Sequence, residues 1–268
     1  PGRPRRRRGG LGGVNGRVAL ITGAARGIGA NVATALASSG WRIVAVDRCA
    51  DDPGFDYPMA TPADLDDVVR TCGAQAMGVI ADVRDQTSLD DAVAAGLERF
   101  GGLDAVVAAA GGIAGGTPAW EVDDREWEAV LDLNLVGVWR VVRAAVPALL
   151  AQPRPRHGRV VVVSSMGGSV GLPLLAPYVA AKHGVNGLVR SLAAELGQED
   201  ITVNAVAPGS TLTSMLSASA AIYGLPDIGP LTDLHLLGRP LDPAEVAALV
   251  VWLCGESSSG VTGAVLPV

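Results

Sequence analysis

A few residues of this 268-residue chain have the types and spacing to move a proton together. Tyr178 and Lys182, in Tyr178-Val179-Ala180-Ala181-Lys182, are four apart, which on a helix places both on one face with Cβ atoms about 5–6 Å apart. A phenol has an unperturbed pKa of about 10 and needs help to act as a base near neutrality. A neighbouring ammonium favours the phenolate and can also donate hydrogen bonds to a sugar hydroxyl. Ser165 precedes Tyr178 by thirteen residues, at the end of a Val-rich run and before a Gly-rich turn, where its hydroxyl can hold a substrate oxygen. Asn134 falls in the middle of a helical pattern, where an amide is unfavourable unless it has a task, and it can bridge a water to the Lys182 ammonium. Lys182 is the only lysine in the chain; the other 20 basic side chains are arginines. A lone ammonium in such a chain invites a chemical explanation.

A second group points to a dinucleotide. Thr22-Gly23-Ala24-Ala25-Arg26-Gly27-Ile28-Gly29 follows an apolar run and opens a helical one. Gly23 permits a sharp turn, and Gly27 and Gly29 let the backbone approach a diphosphate at a helix N-terminus. Asp47 stands twenty residues after Gly27, where a carboxylate takes the adenosine ribose hydroxyls and repels a 2′-phosphate, favouring NAD over NADP. Arg26 and Arg48 pull the other way, since each could pair with that phosphate. Asp82, at the end of a third apolar run, is placed to hydrogen-bond near the adenine; its plainer role is a helix cap, which Asp85 fills better.

The elements that must position these groups alternate regularly. Short Val/Ala/Ile runs at 17–22, 42–47, 76–82, 104–110, 159–164 and 201–207 predict strands buried on both faces, with a seventh at 263–267. Helical stretches are expected at about 27–39, 62–73, 86–100, 124–150, 176–197 and 243–254. Thr61-Pro62-Ala63-Asp64 and Asp242-Pro243-Ala244-Glu245 each offer an N-cap, a proline at N1 and an acid at N3. Strict alternation implies an α/β fold, a doubly wound parallel sheet of about seven strands with helices on both faces, the Rossmann arrangement. One catalytic domain is expected over 15–268, behind a basic flexible tail at 1–14 that holds the Arg5–Arg8 cluster. Two connections, Arg48 to Ala60 and 209–241, are longer than the usual 2–6 residues or so, and both follow strand ends where open sheets bind ligands.

Composition narrows the remaining classes. Hydrophobic residues make up 49% and aromatics only 4%, so the core is built from Ala, Val and Leu. A net charge of −6 argues against nucleic acid as a main partner. No apolar run approaches the roughly 20 residues of a membrane span, and a secretory leader is not expected, since Gly and Asn and not an apolar core follow Arg5–Arg8. Three isolated cysteines, Cys49, Cys72 and Cys254, fit a reducing cytoplasm and read as buried or incidental thiols. His157 and His235 have no partners at metal-ligand spacing, and His183 turns about 100° away from Lys182 on a helix. No metal site is expected. Trp120, Trp127 and Trp139 read as core or interface residues, and Tyr223 with the apolar residues of 212–237 as candidate pocket lining.

Taken together, TGAARGIG at 22–29, Asn134, Ser165, Tyr178, Lys182 and Pro208-Gly209 resemble the short-chain dehydrogenase/reductase superfamily from about residue 15 to the end. The resemblance implies Tyr178 as general acid/base and Ser165 as the group orienting a carbonyl or alcohol. It implies that Lys182 lowers the Tyr178 pKa and binds the ribose, and that Asn134 maintains a proton relay. It also implies a cofactor shell of Gly23, Arg26, Gly27, Ile28, Gly29, Asp47, Arg48, Asp82, Val83, Ala110, Gly111, Tyr178, Lys182, Pro208, Gly209, Thr211 and Thr213, with Thr213 at the nicotinamide carboxamide. The insertion after the second strand, with GVW at 137–139 and YVAAKHGV at 178–185, resembles the mycofactocin-associated, carveol dehydrogenase-like subfamily. There the insertion covers the NAD, which exchanges poorly and is reoxidised by a redox peptide; the 49–61 loop is then expected over the adenosine half.

Two departures stand out. Ala108-Ala109-Ala110-Gly111 replaces the family's Asn-Asn-Ala-Gly, losing polar groups that brace the sheet. The sequence ends at Pro267-Val268, short of the family's Asp-Gly-Gly segment, which reads as a trimmed or disordered C-terminus. The leading expectation is oxidation of an alicyclic or terpenoid-like secondary alcohol to its ketone with NAD, in a homotetramer or homodimer. The alternatives are an NADPH-dependent ketoacyl or polyketide-type reductase and a non-catalytic NAD-binding scaffold.

Overall fold

A computed structural model describes residues 16–232 and 235–268; the tail expected at 1–14 lies outside the described residues. Seven parallel strands form one sheet in the order β3-β2-β1-β4-β5-β6-β7. They are β1 (Val18–Thr22), β2 (Arg42–Asp47), β3 (Ala76–Ile80), β4 (Ala105–Ala108), β5 (Gly158–Val163), β6 (Ile201–Ala207) and β7 (Val265–Pro267). The interior strands β1, β4 and β5 are buried at every position, as continuous apolar runs must be when helices cover both faces.

The helices divide between those faces. On one side α1 (Gly27–Ser38), α2 (Pro62–Cys72) and α9 (Pro243–Cys254) pack through Val32, Leu36, Leu65, Val246 and Val250. On the other, α3 (Gln86–Phe100), α5 (Gly137–Leu150) and α6 (Ala176–Leu196) pack through Leu89, Val141, Val142, Val185 and Val189. The starts of α2 and α9 are capping boxes, as their sequences predict: the Asp64 amide donates to the Thr61 hydroxyl at 3.3 Å and the Thr61 amide to the Asp64 carboxylate at 2.7 Å. The chain switches direction across the sheet between β1 and β4, and the ligand crevice of a doubly wound sheet opens there.

Two elements and one side chain differ from expectation. The helix read over 124–150 is α4 (Asp124–Leu131), a π-helical turn (Asp132–Val136) and α5. The Asn134 amide donates to Val130 O and Gly112 O, both at 2.9 Å, and the widened turn carries that residue. The 124–150 stretch is also long and apolar enough, by length and composition, to cross a membrane, although its buried stripe Val138, Val141, Val142, Ala145 and Leu149 packs inside the core. The connection at 209–241 is not all loop: it holds α7 (Ser214–Ile222) and α8 (Gly229–Thr232), and Thr211 bridges to Leu241. Trp120 is 84% exposed and so is no core residue, while Trp127 and Trp139 are 39% and 44% exposed on α4 and α5.

Candidate active site

A cleft of about 1070 Å³ runs along the C-terminal strand ends. Its floor at one end is the glycine turn. Gly23 takes φ +67°, and a Cβ there would sit 2.7 Å from Ala110 Cα; at Gly29 it would strike Gly23 O at 2.1 Å. Strand, turn and helix therefore meet too closely for any side chain at these two positions. The N-terminus of α1 has no side-chain cap and no acid in its first turn, which leaves amide donors for an anion. This fits the diphosphate of a dinucleotide.

Asp47 ends β2 at the cleft wall, with Oδ2 accepting from the Ala25 amide at 3.1 Å and Oδ1 from the Cys49 amide at 3.2 Å. Those bonds hold a carboxylate where ribose hydroxyls would lie. The two arginines that could receive a 2′-phosphate are otherwise engaged. Arg48 pairs with Asp52 and with Asp82 at 3.2 Å, and Arg26 bonds Pro58 O and approaches Met59 Sδ at 3.1 Å. Asp82 is less free than its position suggested: Arg84 binds both its oxygens at 3.1 and 2.8 Å, which together with the Arg84 amide holds its pKa below the usual carboxylate range against the effect of burial. Arg84 also reaches the buried Asp52 at 2.7 Å. Asp85, and not Asp82, caps α3, accepting from the Thr87 amide.

The connection from Arg48 to Ala60 reaches further than the adenosine half. Tyr57 Oη accepts a hydrogen bond from the Ile113 amide at 3.1 Å, and Arg26 stacks 5.8 Å from the Tyr57 ring centroid. Phe55 is buried in a cluster with Ile113, Val130, Leu175 and Tyr178. The segment thus spans from the β2 edge across to the turn after β4.

At that far end the four predicted catalytic residues come together. Tyr178 and Lys182 are 6% and 4% exposed on α6, with Lys182 Nζ 5.6 Å from the Tyr178 ring centroid. Lys182 Nζ donates to Val163 O, the last residue of β5, at 3.0 Å. Burial pushes the Tyr178 phenol up, and the Ser165 hydroxyl partly offsets this; burial pushes the Lys182 ammonium down to about 8. Burial thus disfavours the charged form of each group, the phenolate and the ammonium. Asn134 is fully buried, and its amide is used on the backbone: Oδ1 accepts from the Gly112 amide at 3.2 Å while Nδ2 holds Gly112 O. Its side chain therefore clamps the Gly111–Gly112 turn beside Lys182 and does not itself reach the ammonium. Thr22 Oγ1, near the Ala110 amide at 3.4 Å, adds to the bracing that Ala108 and Ala109 do not provide.

The other expected cofactor positions, Gly27, Ile28, Val83, Ala110, Gly111, Pro208, Gly209, Thr211 and Thr213, all line the cleft. His183 is exposed and bonds Val179 O, and burial raises the Cys49 thiol to about 11 and the Cys254 thiol to about 12. No group of metal-ligating side chains occurs among the described residues. Tyr57, Met59 and Arg84 escaped the sequence reading, because nothing in their local spacing distinguishes them from ordinary loop residues.

Fold and site together define a nicotinamide-dinucleotide oxidoreductase architecture. Residues 23–268 match the family model described as Enoyl-(Acyl carrier protein) reductase, and the chain belongs to the short-chain dehydrogenase/reductase family. It is 41% identical over 267 residues to an uncharacterized NAD-dependent oxidoreductase of Mycobacterium tuberculosis, covering 96% of each chain. It is 36% identical over 270 residues to (−)-trans-carveol dehydrogenase of Rhodococcus erythropolis, covering 95% of this chain and 96% of that one. Among solved structures, it is similar to carveol dehydrogenase from Mycobacterium avium in complex with NAD, with TM-score 0.90, 38% identity and 96% and 98% of the two chains covered.

Proposed function

We propose that this protein is an NAD-dependent dehydrogenase that interconverts an uncharged alicyclic or terpenoid-like secondary alcohol and its ketone. The observation that carries the reading is the meeting of Ser165, Tyr178 and Lys182 at one end of a dinucleotide-sized cleft. NAD, when bound, supplies the hydride acceptor. Ser165 holds the substrate oxygen, and Tyr178 Oη takes the hydroxyl proton during oxidation and returns it during reduction. Lys182 supplies positive potential beside the phenol and a donor for a ribose hydroxyl.

Substrate class follows from the lining. The carboxylates and arginines of the cleft, Arg26, Asp47, Arg48, Asp52, Asp82 and Arg84, gather at the β2–β3 end, and Lys182 is the charged side chain beside Tyr178. Around Tyr178 the walls are Ile113, Leu172, Leu175, Met215 and Tyr223, which suits an apolar ring. The carveol dehydrogenase relatives support the same class. Asp47, with Arg26 and Arg48 committed elsewhere, favours NAD over the NADPH reductase alternative, and an intact Ser165, Tyr178 and Lys182 disfavour a scaffold role.

The Tyr57–Ile113 bond supports a finer reading, in which the 49–61 segment closes over bound NAD and an external acceptor, such as a redox peptide, reoxidises it in place. The test is turnover of carveol with free NAD and with an artificial electron acceptor, alongside quantitation of NAD carried through purification. Copurified NAD with turnover dependent on the artificial acceptor is expected. Preference for NADP, or no oxidation of any alicyclic alcohol, would overturn the assignment.

A further inference from the structure

Helix α6 carries a third polar residue on the stripe that begins with Tyr178 and Lys182. Asn186 lies one more step of four along the helix and is 2% exposed. Its Nδ2 donates to Gly168 O at 2.8 Å, and its Oδ1 accepts from Ser164 Oγ at 2.7 Å. A carbonyl can only accept, so the amide nitrogen must face Gly168, and the Ser164 hydroxyl holds that orientation from the other side.

Gly168 is the last residue of the short turn that starts at Ser165. The Gly168 amide donates to Ser165 O at 2.9 Å, and the Gly167 amide donates to Ser165 Oγ at 3.1 Å. The other side of this turn is tied to the residue that follows β6 by the Met166 amide, which donates to Pro208 O at 3.0 Å. A Cβ on Gly168 would lie 2.7 Å from Asn186 Nδ2 and 2.8 Å from Lys182 O, so the turn is seated directly against α6 at this point. Along one helical stripe, Tyr178 faces Ser165, Lys182 grips Val163 O, and Asn186 grips Ser164 and Gly168.

We propose that Asn186 is a positioning residue for the reaction: by pinning the Ser165–Gly168 turn to the helix that carries Tyr178, it sets the Ser165–Tyr178 distance. The proposal rests on the reading of Tyr178 and Ser165 as the reacting pair. A residue that only fills and satisfies the core would change stability without changing how Tyr178 titrates. A positioning residue changes the titration, because Ser165 is the group that offsets the rise of the Tyr178 pKa.

The experiment compares Asn186→Ala and the uncharged, similarly sized Asn186→Leu, which fills the space if the alanine variant folds poorly, with Ser164→Ala and Tyr178→Phe. Carveol oxidation gives kcat and KM across pH, and ultraviolet difference titration follows the phenol of Tyr178, assigned by its loss in Tyr178→Phe. Both Asn186 variants are expected to lose about 10- to 100-fold in kcat, as a misplacement of around an ångström does, with NAD affinity retained. The Tyr178 titration should move to higher pH in both. Ser164→Ala, which leaves the bond to Gly168 in place, should lose less. An unmoved Tyr178 titration in folded Asn186 variants would overturn the proposal, whatever their stability. Full turnover by Tyr178→Phe would instead overturn the underlying reading of the reaction, so the two failures are separable.

Discussion

At the residue scale, the site places two groups of opposite ionic character where burial opposes both charges. Tyr178→Phe removes the proton acceptor without changing shape, and kcat for alcohol oxidation should fall about 10²- to 10⁴-fold with NAD affinity intact. Because the Tyr178 pKa is raised, the oxidation rate of the wild type should climb with pH through the alkaline range, and loss of the Lys182 proton above about 8 should flatten the climb. A rate independent of pH would contradict this. Lys182 also has a stability consequence. Its folded-state pKa of about 8 lies below the ordinary 10.5, so the unfolded chain holds that proton more tightly. The charge therefore destabilises the ligand-free fold below about pH 8, and the penalty is relieved as pH rises to 10.5. Lys182→Met should melt at a higher temperature than wild type at pH 7, with the gap closing by pH 10, while losing activity. A lower melting temperature at pH 7 would show that the bond to Val163 O outweighs the desolvation. Tyr178, Lys182 and Ser165 were readable from spacing, since helix and strand periodicities alone put them at facing ends. The use of the Asn134 side chain was not readable, because its partner Gly112 is 22 residues away and the π turn that presents it has no local signature.

At the element scale, the segment from Arg48 to Ala60 is the part whose role depends most on its surroundings. Its base is held by Asp52, whose side chain is 6% exposed between Arg48 and Arg84, and its tip by the Tyr57–Ile113 bond. Tyr57→Phe deletes only the hydroxyl that accepts from Ile113. A hydrogen bond of this kind contributes about 0.5–1.5 kcal/mol net, so release of NAD should quicken by up to about tenfold in a chase experiment. Unchanged release with weakened alcohol binding would move Tyr57 to the substrate side of the cleft. The length and position of this segment were visible in the sequence. Its span was not, since the Tyr57–Ile113 contact joins residues 56 apart and no periodicity relates them.

For the whole molecule, the family resemblance implies that the long helices expected over 124–150 and 176–197 pair across subunits, and the first of these stretches presents Trp127 and Trp139 partly exposed. Light scattering should give a dimer or tetramer, and Trp139→Glu, which places a charge on that stretch, should shift it towards monomer; a monomeric wild type at micromolar concentration would exclude the pairing. The architecture itself follows from information that is local along the chain. Alternating apolar runs, two capping boxes and a glycine turn are short-range patterns, and right-handed crossovers leave few ways to assemble them. That much, with the identity of the Ser165, Tyr178 and Lys182 set, the amino-acid order determines by itself. Tertiary structure alone decides how shared groups are allocated. Whether Arg26 and Arg48 meet a phosphate or their own loop, whether Asp82 is free or held by Arg84, and whether Asn186 fills the core or grips the Ser165 turn depend on which donors and acceptors come within about 3 Å, and pairs separated by tens of residues reach that distance only in the folded chain. The Tyr178–Lys182 pair is a product of helix spacing, but the turn that aims Ser165 at it is held in place by contacts that no spacing records.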